Sequence, residues 1–196
     1  ARDSGTIELD GKELNISSPR DAIEAGICLL TEDRKDQGLV LALSVRENFG
    51  LPNLETFSNY GLIDRKKELG KFSGYVDSIS IKISGSNQLA GELSGGNQQK
   101  VVLAKWLEKN AEILIFDEPT RGIDVGAKFE IYQLMNRLAE QGKGIIMISS
   151  ELPEVLGMSD RIMVLNEGEL MGEVANSPEV TQEQLMALAI GVEKEI

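Results

Sequence analysis

The residue types best suited to chemistry in this sequence occur in two short motifs. Ser94, Gly95 and Gly96 form a turn of small residues directly before a helix-like segment. A helix N-terminus offers unpaired backbone N–H groups and the positive end of the helix dipole, and small residues let a phosphate approach closely. Asp117 and Glu118 follow an apolar run, and such a carboxylate pair suits a hydrated Mg²⁺ ion and an activated water. The two motifs together indicate nucleotide chemistry.

Each motif also has an ordinary structural interpretation. A Ser-Gly-Gly turn can be a simple helix cap, and an Asp-Glu pair can be a solvated strand end. The functional interpretation is favoured by their combination and order between Leu93 and Asp124. Leu-Ser-Gly-Gly precedes a helix, and Ile-Leu-Ile-Phe-Asp-Glu-Pro-Thr and Gly-Ile-Asp follow it.

The elements that must position these motifs alternate between apolar strands and amphipathic helices. The runs 113–116 and 145–148 are continuously apolar, as in parallel strands that are buried on both faces. Asp124 is predicted to cap a helix with apolar residues at i, i+3, i+4 and i+7, and residues 6–14 are predicted to form an antiparallel hairpin. The sequence therefore predicts an α/β fold with a mostly parallel sheet.

Other segments give local predictions. A helix is expected from Pro19 to about Ala25, because Ser18 can cap it and a proline suits the first helical position. Residues 31–38 are predicted to be a charged loop and residues 52–61 an irregular polar stretch. Trp106 is expected to anchor the hydrophobic core rather than to bind a ligand.

The segment 39–104 departs from the strand–helix alternation. It contains a capping-box pattern at 44–47 and a helix-like stretch at 64–80, with no repeat or obvious linker. We therefore predict an α-helical subdomain at 39–104, inserted into a core formed by 1–38 and 105–196.

Composition restricts the class of protein. The 196 residues are 41% hydrophobic and 27% charged, as in a soluble globular protein, and the net charge of −12 argues against a nucleic-acid or anionic-membrane surface. No run approaches the roughly 20 apolar residues of a membrane helix. The sequence has no histidine, which excludes histidine catalysis, and one cysteine, Cys28, which is expected to be buried in a cytosolic protein.

Together the motifs resemble the ATP-binding domain of an ABC transporter over nearly the whole chain. Residues 93–98 resemble the ABC signature, with Asn97 where the common form has glutamine. Residues 113–118 resemble Walker B, and residues 121–124 fall at the D-loop. The resemblance implies a P-loop NTPase core, with ATP and Mg²⁺ as cofactors.

The resemblance also implies roles for individual residues. Asp117 would hold Mg²⁺ through water, and Glu118 would be the general base for the attacking water. In the family, ATPase domains pair head to tail, so the signature serves the ATP of the partner. The implied ATP contacts are Ser94, Gly95, Gly96, Asn97 and Gln98 in the signature, Glu32 at the Q-loop position and Asp124 in the D-loop.

The residue sequences of several segments resemble one subgroup of this family. Residues 32–35, 93–100, 119–122 and 149–154 resemble the second ATPase half of bacterial monosaccharide importers of the ribose and galactose type, in which two halves are fused. This implies an ATP-hydrolysing, energy-coupling domain for sugars of the ribose, galactose and xylose class. It would lie peripherally on the cytoplasmic face of the cell membrane. Its partners would be a second ATPase half, membrane permease subunits and, indirectly, a periplasmic or extracellular sugar-binding protein, with no nucleic acid.

Three departures from the family pattern affect the expected activity. No Walker A motif, G-x-x-x-x-G-K-S/T, occurs, so the chain resembles a fragment that begins after it. Glu32 adds a negative charge where a Q-loop glutamine is expected, and Ser150 stands at the position of the switch histidine, where it cannot supply a cation. We therefore expect this half mainly to complete the active site of its partner, and the 196 residues alone to be inactive.

Two alternatives remain open from the sequence. One is a soluble ABC-type ATPase that acts on nucleic acid or ribosomes, against which the acidic composition counts. The other is a catalytically silent regulatory or dimerisation half.

Overall fold

A computed structural model describes residues 4–191, so the outermost ends of the predicted core, 1–3 and 192–196, lie outside the described residues. The strands are β1 (Glu8–Leu9), β2 (Lys12–Glu13), β3 (Ile27–Leu30), β4 (Ser58–Asn59), β5 (Leu62–Ile63), β6 (Ile113–Asp117), β7 (Gly144–Ile148), β8 (Arg161–Asn166) and β9 (Glu169–Ala175). The α-helices are α1 (Pro19–Glu24), α2 (Val45–Gly50), α3 (Leu54–Phe57), α4 (Arg65–Ser78), α5 (Gly95–Glu108), α6 (Val125–Glu140), α7 (Leu152–Met158) and α8 (Gln182–Ala189). Short 3₁₀ turns cover Leu51–Asn53 and Ala90–Glu92.

The N-terminal elements follow their local signals. β1 and β2 pair antiparallel, and Asp10 and Gly11 both have positive φ, 51° and 71°, as a two-residue type I′ hairpin requires. Ser18 caps α1 through a capping box, and the chain leaves this helix at Gly26, which has a φ of 81°. The predicted hairpin and first helix are confirmed.

The main sheet has the strand order β3-β6-β7, with β3 and β6 parallel. In β6, Leu114 and Phe116 are buried on one face, whereas Ile113 and Ile115 on the other face are only half-buried. The prediction that residues 113–116 are buried on both faces was therefore wrong within the described residues, because successive side chains alternate and one face is covered.

Cys28, on the covered face of β3, is 1% exposed. Burial raises the pKa of its thiol to about 11, since the charged thiolate loses its hydration there. The prediction of a buried cysteine is confirmed.

The predicted loop 31–38 contains a regular element. Residues Arg34–Gly38 form one turn of π-helix, which Asp33 begins. One carboxylate oxygen of Asp33 accepts hydrogen bonds from the backbone N–H groups of Lys35 and Asp36, each at 3.1 Å. This local cap gives the charged segment a fixed shape, which the sequence prediction of a loop did not anticipate.

The helical segment has its own aromatic core. Phe49 packs against Phe57 and Phe72, with ring centroids 5.7 and 5.4 Å apart, and all three are buried. The prediction of an irregular stretch at 52–61 was wrong, because burial of Phe57 holds the short helix α3 in place. The capping box of Ser44 and Glu47 and the helix predicted at 64–80 are confirmed.

Helices α5 and α6 flank the motifs singled out in the sequence. The inward residues of α6, Ile131, Leu134, Met135 and Leu138, are all buried, as their spacing predicts. Trp106 is half-buried near the end of α5, with the Lys105 ammonium 4.9 Å from its ring centroid. Trp106 therefore packs at the edge of the core rather than at its centre.

By internal contacts the chain divides into two units, 1–146 and 147–196. In the second unit, β8 and β9 form a hairpin whose turn has positive φ at Glu167 and Gly168. Asn176 joins this hairpin to α7 through hydrogen bonds from its side-chain amide to the carbonyls of Leu156 and Ser159. This division at residue 146 does not correspond to the predicted division into a core and a subdomain at 39–104, which stays a prediction. None of the helices within residues 4–191 has both the length and the apolar character needed to cross a bilayer.

Candidate functional site

Ser94 precedes α5 but does not cap it with its side chain. Its hydroxyl oxygen accepts a hydrogen bond of 2.9 Å from the side-chain amide of Asn97. The amide oxygen of Asn97 in turn accepts a hydrogen bond of 2.8 Å from the backbone N–H of Lys82. A hydroxyl that accepts one hydrogen bond keeps its own proton available, so Ser94 can still donate to a further acceptor.

The two glycines of the signature have close neighbours. A Cβ atom added to Gly95 would lie 2.7 Å from the guanidinium of Arg34, and one added to Gly96 would lie 3.0 Å from the Cβ of Ala127. The glycines therefore allow close packing within the protein as well as close approach of a phosphate.

Gln98 is 2% exposed and donates to the carbonyl of Ala90 at 3.1 Å. This placement favours a packing role for the Gln98 side chain over the predicted ATP contact.

A cavity of about 310 Å³ lies between the N-termini of α5 and α6. It brings together three signature residues and the D-loop residue Asp124, which caps α6 by accepting from the N–H of Ala127 at 3.0 Å. The N-terminus of α5, which has no side-chain cap, favours an anion such as a phosphate, whereas the carboxylate of Asp124 already occupies the N-terminus of α6. The lining residues are Lys82, Ser94, Gly96, Asn97, Lys100, Asp124, Gly126, Ala127 and Glu130.

The wall of this cavity is held by a charged cluster. The carboxylate of Glu130 accepts from Lys82 at 2.9 Å and from Lys100 at 2.7 Å, and Lys100 also donates to the carbonyl of Ser80 at 2.9 Å. The hydrogen bond from Lys100, supported by that from Lys82, lowers the pKa of Glu130 to about 2. Sequence analysis missed these three residues; only Lys100 is adjacent to a recognisable motif.

Asp117 ends β6, and Glu118 follows it with a backbone φ of +46°. A left-handed conformation is uncommon outside glycine, and residues held in such regions cost about 1–3 kcal/mol and cluster at functional sites. The carbonyl of Glu118 accepts from the N–H of Arg121 at 3.1 Å, which closes a tight turn. The strain at Glu118 is consistent with its predicted role as general base.

The residues present fit a hydrated rather than an enclosed metal ion. Within residues 4–191 no group of three or more histidine, cysteine or acidic side chains is placed to hold a metal. Asp117 could therefore hold Mg²⁺ only together with water and phosphate oxygens, which is the coordination that Mg²⁺ commonly adopts beside nucleotides.

Glu32, at the Q-loop position, forms an ion pair with Arg121. The side chain of Arg121 thus provides a cation opposite the negative charge that Glu32 adds at this position. Arg34 donates to the carbonyl of Arg121 at 3.0 Å and to that of Gly122 at 3.5 Å. The role of Arg34 is not predictable from the sequence, since its contact lies 87 residues away along the chain.

Ser150 belongs to the second unit and is exposed in the turn before α7. The neighbouring hydroxyl of Ser149 hydrogen-bonds to the carboxylate of Glu154 and accepts from the N–H of Glu151, which shapes the start of this helix. The role of Ser150 at the switch-histidine position stays a prediction.

The sequence model of one family, the ABC transporter family, matches residues 1–121. The chain belongs to this family. The predicted resemblance to ABC transporter ATP-binding domains is confirmed.

Within this family, the chain is similar in sequence to proteins named for ribose import. It is 58% identical over 189 residues to the ribose import ATP-binding protein RbsA of Oceanobacillus iheyensis and 53% identical over 189 residues to that of Bacillus subtilis. Each comparison covers 96% of this chain but 38% of the relative. The chain thus spans about two-fifths of the length of these relatives.

Solved ABC structures share the fold. The dimeric ATP-binding cassette MJ0796 in a post-hydrolysis state with ADP and Pi gives a TM-score of 0.70 at 22% identity, covering 89% of this chain and 75% of that one. The ADP conformation of the cassette MJ1267 gives 0.71 at 20% identity, with 94% and 72% covered. The predicted α/β P-loop NTPase fold of this ABC-family chain is confirmed.

Proposed function

We propose that the chain is part of the ATP-hydrolysing, energy-coupling subunit of a monosaccharide importer of the ribose class. The observation that carries the proposal is its 58% identity, over 189 residues, to a protein named for ribose import and ATP binding. The cavity between α5 and α6, with the Ser94 hydroxyl able to donate, supports ATP as the ligand.

In the proposed mechanism the residues of the chain act at two nucleotides. Ser94 donates to a phosphate oxygen of the ATP held by the partner half, and the start of α5 adds the positive end of its dipole. At the other nucleotide, Asp117 would hold Mg²⁺ together with water, and Glu118 would accept the proton of the attacking water. The metal, when bound, neutralises charge that develops on the phosphates.

The proposed partners are a second ATPase half, membrane permease subunits on the cytoplasmic side and, through these, a sugar-binding protein. Pairing of two ATPase domains is supported by the dimeric cassette whose fold this chain shares. The helical segment 39–104 is proposed to contact the permease. It exposes apolar side chains, among them Leu51, Leu54 and Leu62, which are 43%, 42% and 76% exposed.

We propose that the two nucleotide sites are unequal. Ser150 at the switch-histidine position cannot supply a cation to a phosphate, so turnover at the site of Asp117 and Glu118 is slow. The signature, in contrast, has its hydrogen bonds and its helix terminus in place. This half would then act mainly by completing the active site of its partner.

The test compares two matched substitutions in the full-length protein reconstituted with its permease. Glu118→Gln should leave most ATP turnover intact, whereas the corresponding glutamate-to-glutamine change in the other half should reduce turnover by a factor of about 10² or more. Ribose-stimulated turnover and uptake are measured in the same vesicles. Equal losses from the two substitutions would contradict unequal sites, and copurification with nucleic acid instead of a permease would contradict the importer itself.

A further inference from the structure

Arg34 connects three segments that are far apart in the sequence. Its guanidinium donates to the carbonyls of Arg121 and Gly122, in the turn between Glu118 and Asp124. The same guanidinium lies against the first residue of α5, where a Cβ atom on Gly95 would be 2.7 Å from Nη2. Arg34 thus lies between the turn that follows Walker B and the first glycine of the signature.

A second contact reinforces the first. Glu32, two residues before Arg34, forms an ion pair with the side chain of Arg121. The side chains of Glu32 and Arg121 are 43% and 66% exposed, so the pair contributes little to stability. It does, however, hold the same turn. Glu32 binds the side chain of Arg121, and Arg34 binds its backbone carbonyl.

Stability alone does not explain this arrangement. Arg34 is 8% exposed, and burial lowers the pKa of its guanidinium. Among the described residues its Nε atom has no hydrogen-bond acceptor, and a buried donor without a partner is unfavourable. A methionine or leucine would fill the same space without that penalty, but it could not bind two carbonyls with a rigid planar group.

We propose, on the basis of the function proposed above, that Arg34 is a positioning residue that couples the two nucleotide sites. The signature beside Gly95 serves the ATP of the partner half, whereas the turn of Arg121 and Gly122 leads directly from Glu118, at the chain's own nucleotide. Because the guanidinium is rigid and touches both, a shift of the signature towards a bound phosphate moves the turn. Occupation of one site is thereby communicated to the other.

The experiment uses hydrogen–deuterium exchange in the full-length protein. The N–H groups of Arg121 and Ile123 are hydrogen-bonded to the carbonyls of Glu118 and Thr120, so their exchange reports on the turn. In Arg34→Gln both should exchange about tenfold faster than in the parent protein. Lys35→Gln is the matched control, because Lys35 is exposed in the same π-helical turn and should leave the exchange unchanged.

The coupling itself is measured by adding a non-hydrolysable ATP analogue, with its binding followed independently by a fluorescent nucleotide. In the parent protein the analogue should slow exchange of Arg121 and Ile123. In Arg34→Gln this slowing should be lost although the analogue still binds, and kcat should fall about tenfold with KM for ATP within about twofold. Arg34→Lys keeps the charge but lacks the rigid planar group of arginine, so its exchange rates and kcat should lie between those of the parent protein and Arg34→Gln.

Several results would overturn the proposal. These are unchanged exchange at Arg121 and Ile123, an equal acceleration at amides throughout the chain, or full retention of the nucleotide effect in Arg34→Gln. If Arg34→Gln does not fold, Glu32→Gln removes only the exposed ion pair and should show the same changes at smaller size. If the protein binds no ATP, the proposed function fails, whereas the comparison of basal exchange still decides whether Arg34 holds the turn.

Discussion

At the scale of single residues, the orientation of the Ser94 hydroxyl depends on Asn97. Asn97 uses its amide hydrogen towards Ser94 and its amide oxygen towards the backbone of Lys82, so its direction is fixed at both ends. Glutamine, the common residue at this position of the signature, is one methylene longer. The short side chain of asparagine spans the gap between Ser94 and Lys82 in this chain.

Asn97→Asp is predicted to impair the function of the signature, although asparagine and aspartate have almost the same size. Aspartate keeps an oxygen for the N–H of Lys82 but replaces the donor to Ser94 by a second oxygen. The serine hydroxyl would then donate to that carboxylate instead of a phosphate, and a negative charge is added beside the phosphates. We expect ATP turnover of the full-length protein to fall by a factor of about 10².

The control for this prediction is Asn136→Asp, which adds the same charge at an exposed position of α6. Its turnover should stay within about twofold of the parent value, since surface substitutions away from a site usually have small effects. Equal losses in Asn97→Asp and Asn136→Asp would show that charge alone, and not the hydroxyl orientation, was responsible.

The candidate site could be predicted from the sequence only where its residues are adjacent in the chain. Ser94, Gly96 and Asn97 carry a recognisable motif, and the structure places them at one cavity with Asp124. The cation partners could not be predicted, because Arg34 contacts a turn 87 residues away along the chain and Lys82 lies outside the recognised motifs. Nor does a residue type reveal an unusual backbone, such as the left-handed conformation of Glu118.

At the scale of elements, the ion cluster of Lys82, Lys100 and Glu130 joins α5 to α6. Because the pKa of Glu130 is lowered from 4.5 to about 2, the cluster stabilises the fold above pH 4.5 and this contribution is lost as the pH falls towards 2. Glu130→Gln should therefore lower the free energy of unfolding at pH 7, and the difference from the parent protein should shrink at pH 3.

Urea unfolding at the two pH values measures this difference. Glu140→Gln, at the exposed end of the same helix, is the control and should differ little from the parent at either pH. A loss in Glu130→Gln that is the same at pH 3 and pH 7 would mean that packing, rather than the charge of Glu130, joins the two helices.

A second prediction concerns the start of α2. Ser44 is buried; its hydroxyl accepts from the N–H of Glu47 at 3.2 Å and donates to the carboxylate of Glu47 at 2.6 Å. Ser44→Ala should lower the free energy of unfolding by about 1 kcal/mol, as measured by urea unfolding. Ser73→Ala, inside the exposed face of α4, should instead leave stability unchanged or raise it slightly, because alanine has the higher helix propensity. Destabilisation of similar size in both would contradict the capping role.

These caps explain which elements the sequence could predict. The starts of α1, α2 and α8 carry capping boxes within four residues, so their signals are local. The short helix α3 has no such signal and depends on Phe57 packing against Phe49, a contact set by tertiary structure. The burial of β6 on one face is likewise a property of the packed sheet rather than of the strand's own sequence.

At the scale of the whole molecule, the 196 residues contain a signature and a Walker B motif but no Walker A motif. We predict that the purified chain, shown by circular dichroism to be folded, releases no phosphate from ATP above background. The main phosphate-binding loop and its lysine are not in the sequence. The full-length protein, assayed in parallel, should be active. Clear ATP hydrolysis by the 196 residues would show that the chain does not need a Walker A motif for activity.

The burial of Cys28 has a practical consequence for the fluorescent labelling of this chain. Cys28 is the one cysteine of the sequence, it is 1% exposed, and the pKa of its thiol is raised to about 11, so it should resist maleimide labelling at neutral pH. A cysteine introduced at Val125, whose side chain is 84% exposed at the first position of α6, would then carry a fluorophore at one known place on this chain. The position lies between Asp124 and Gly126, which line the cavity between α5 and α6, so the emission of the dye would report the docking of the proposed partner half in real time.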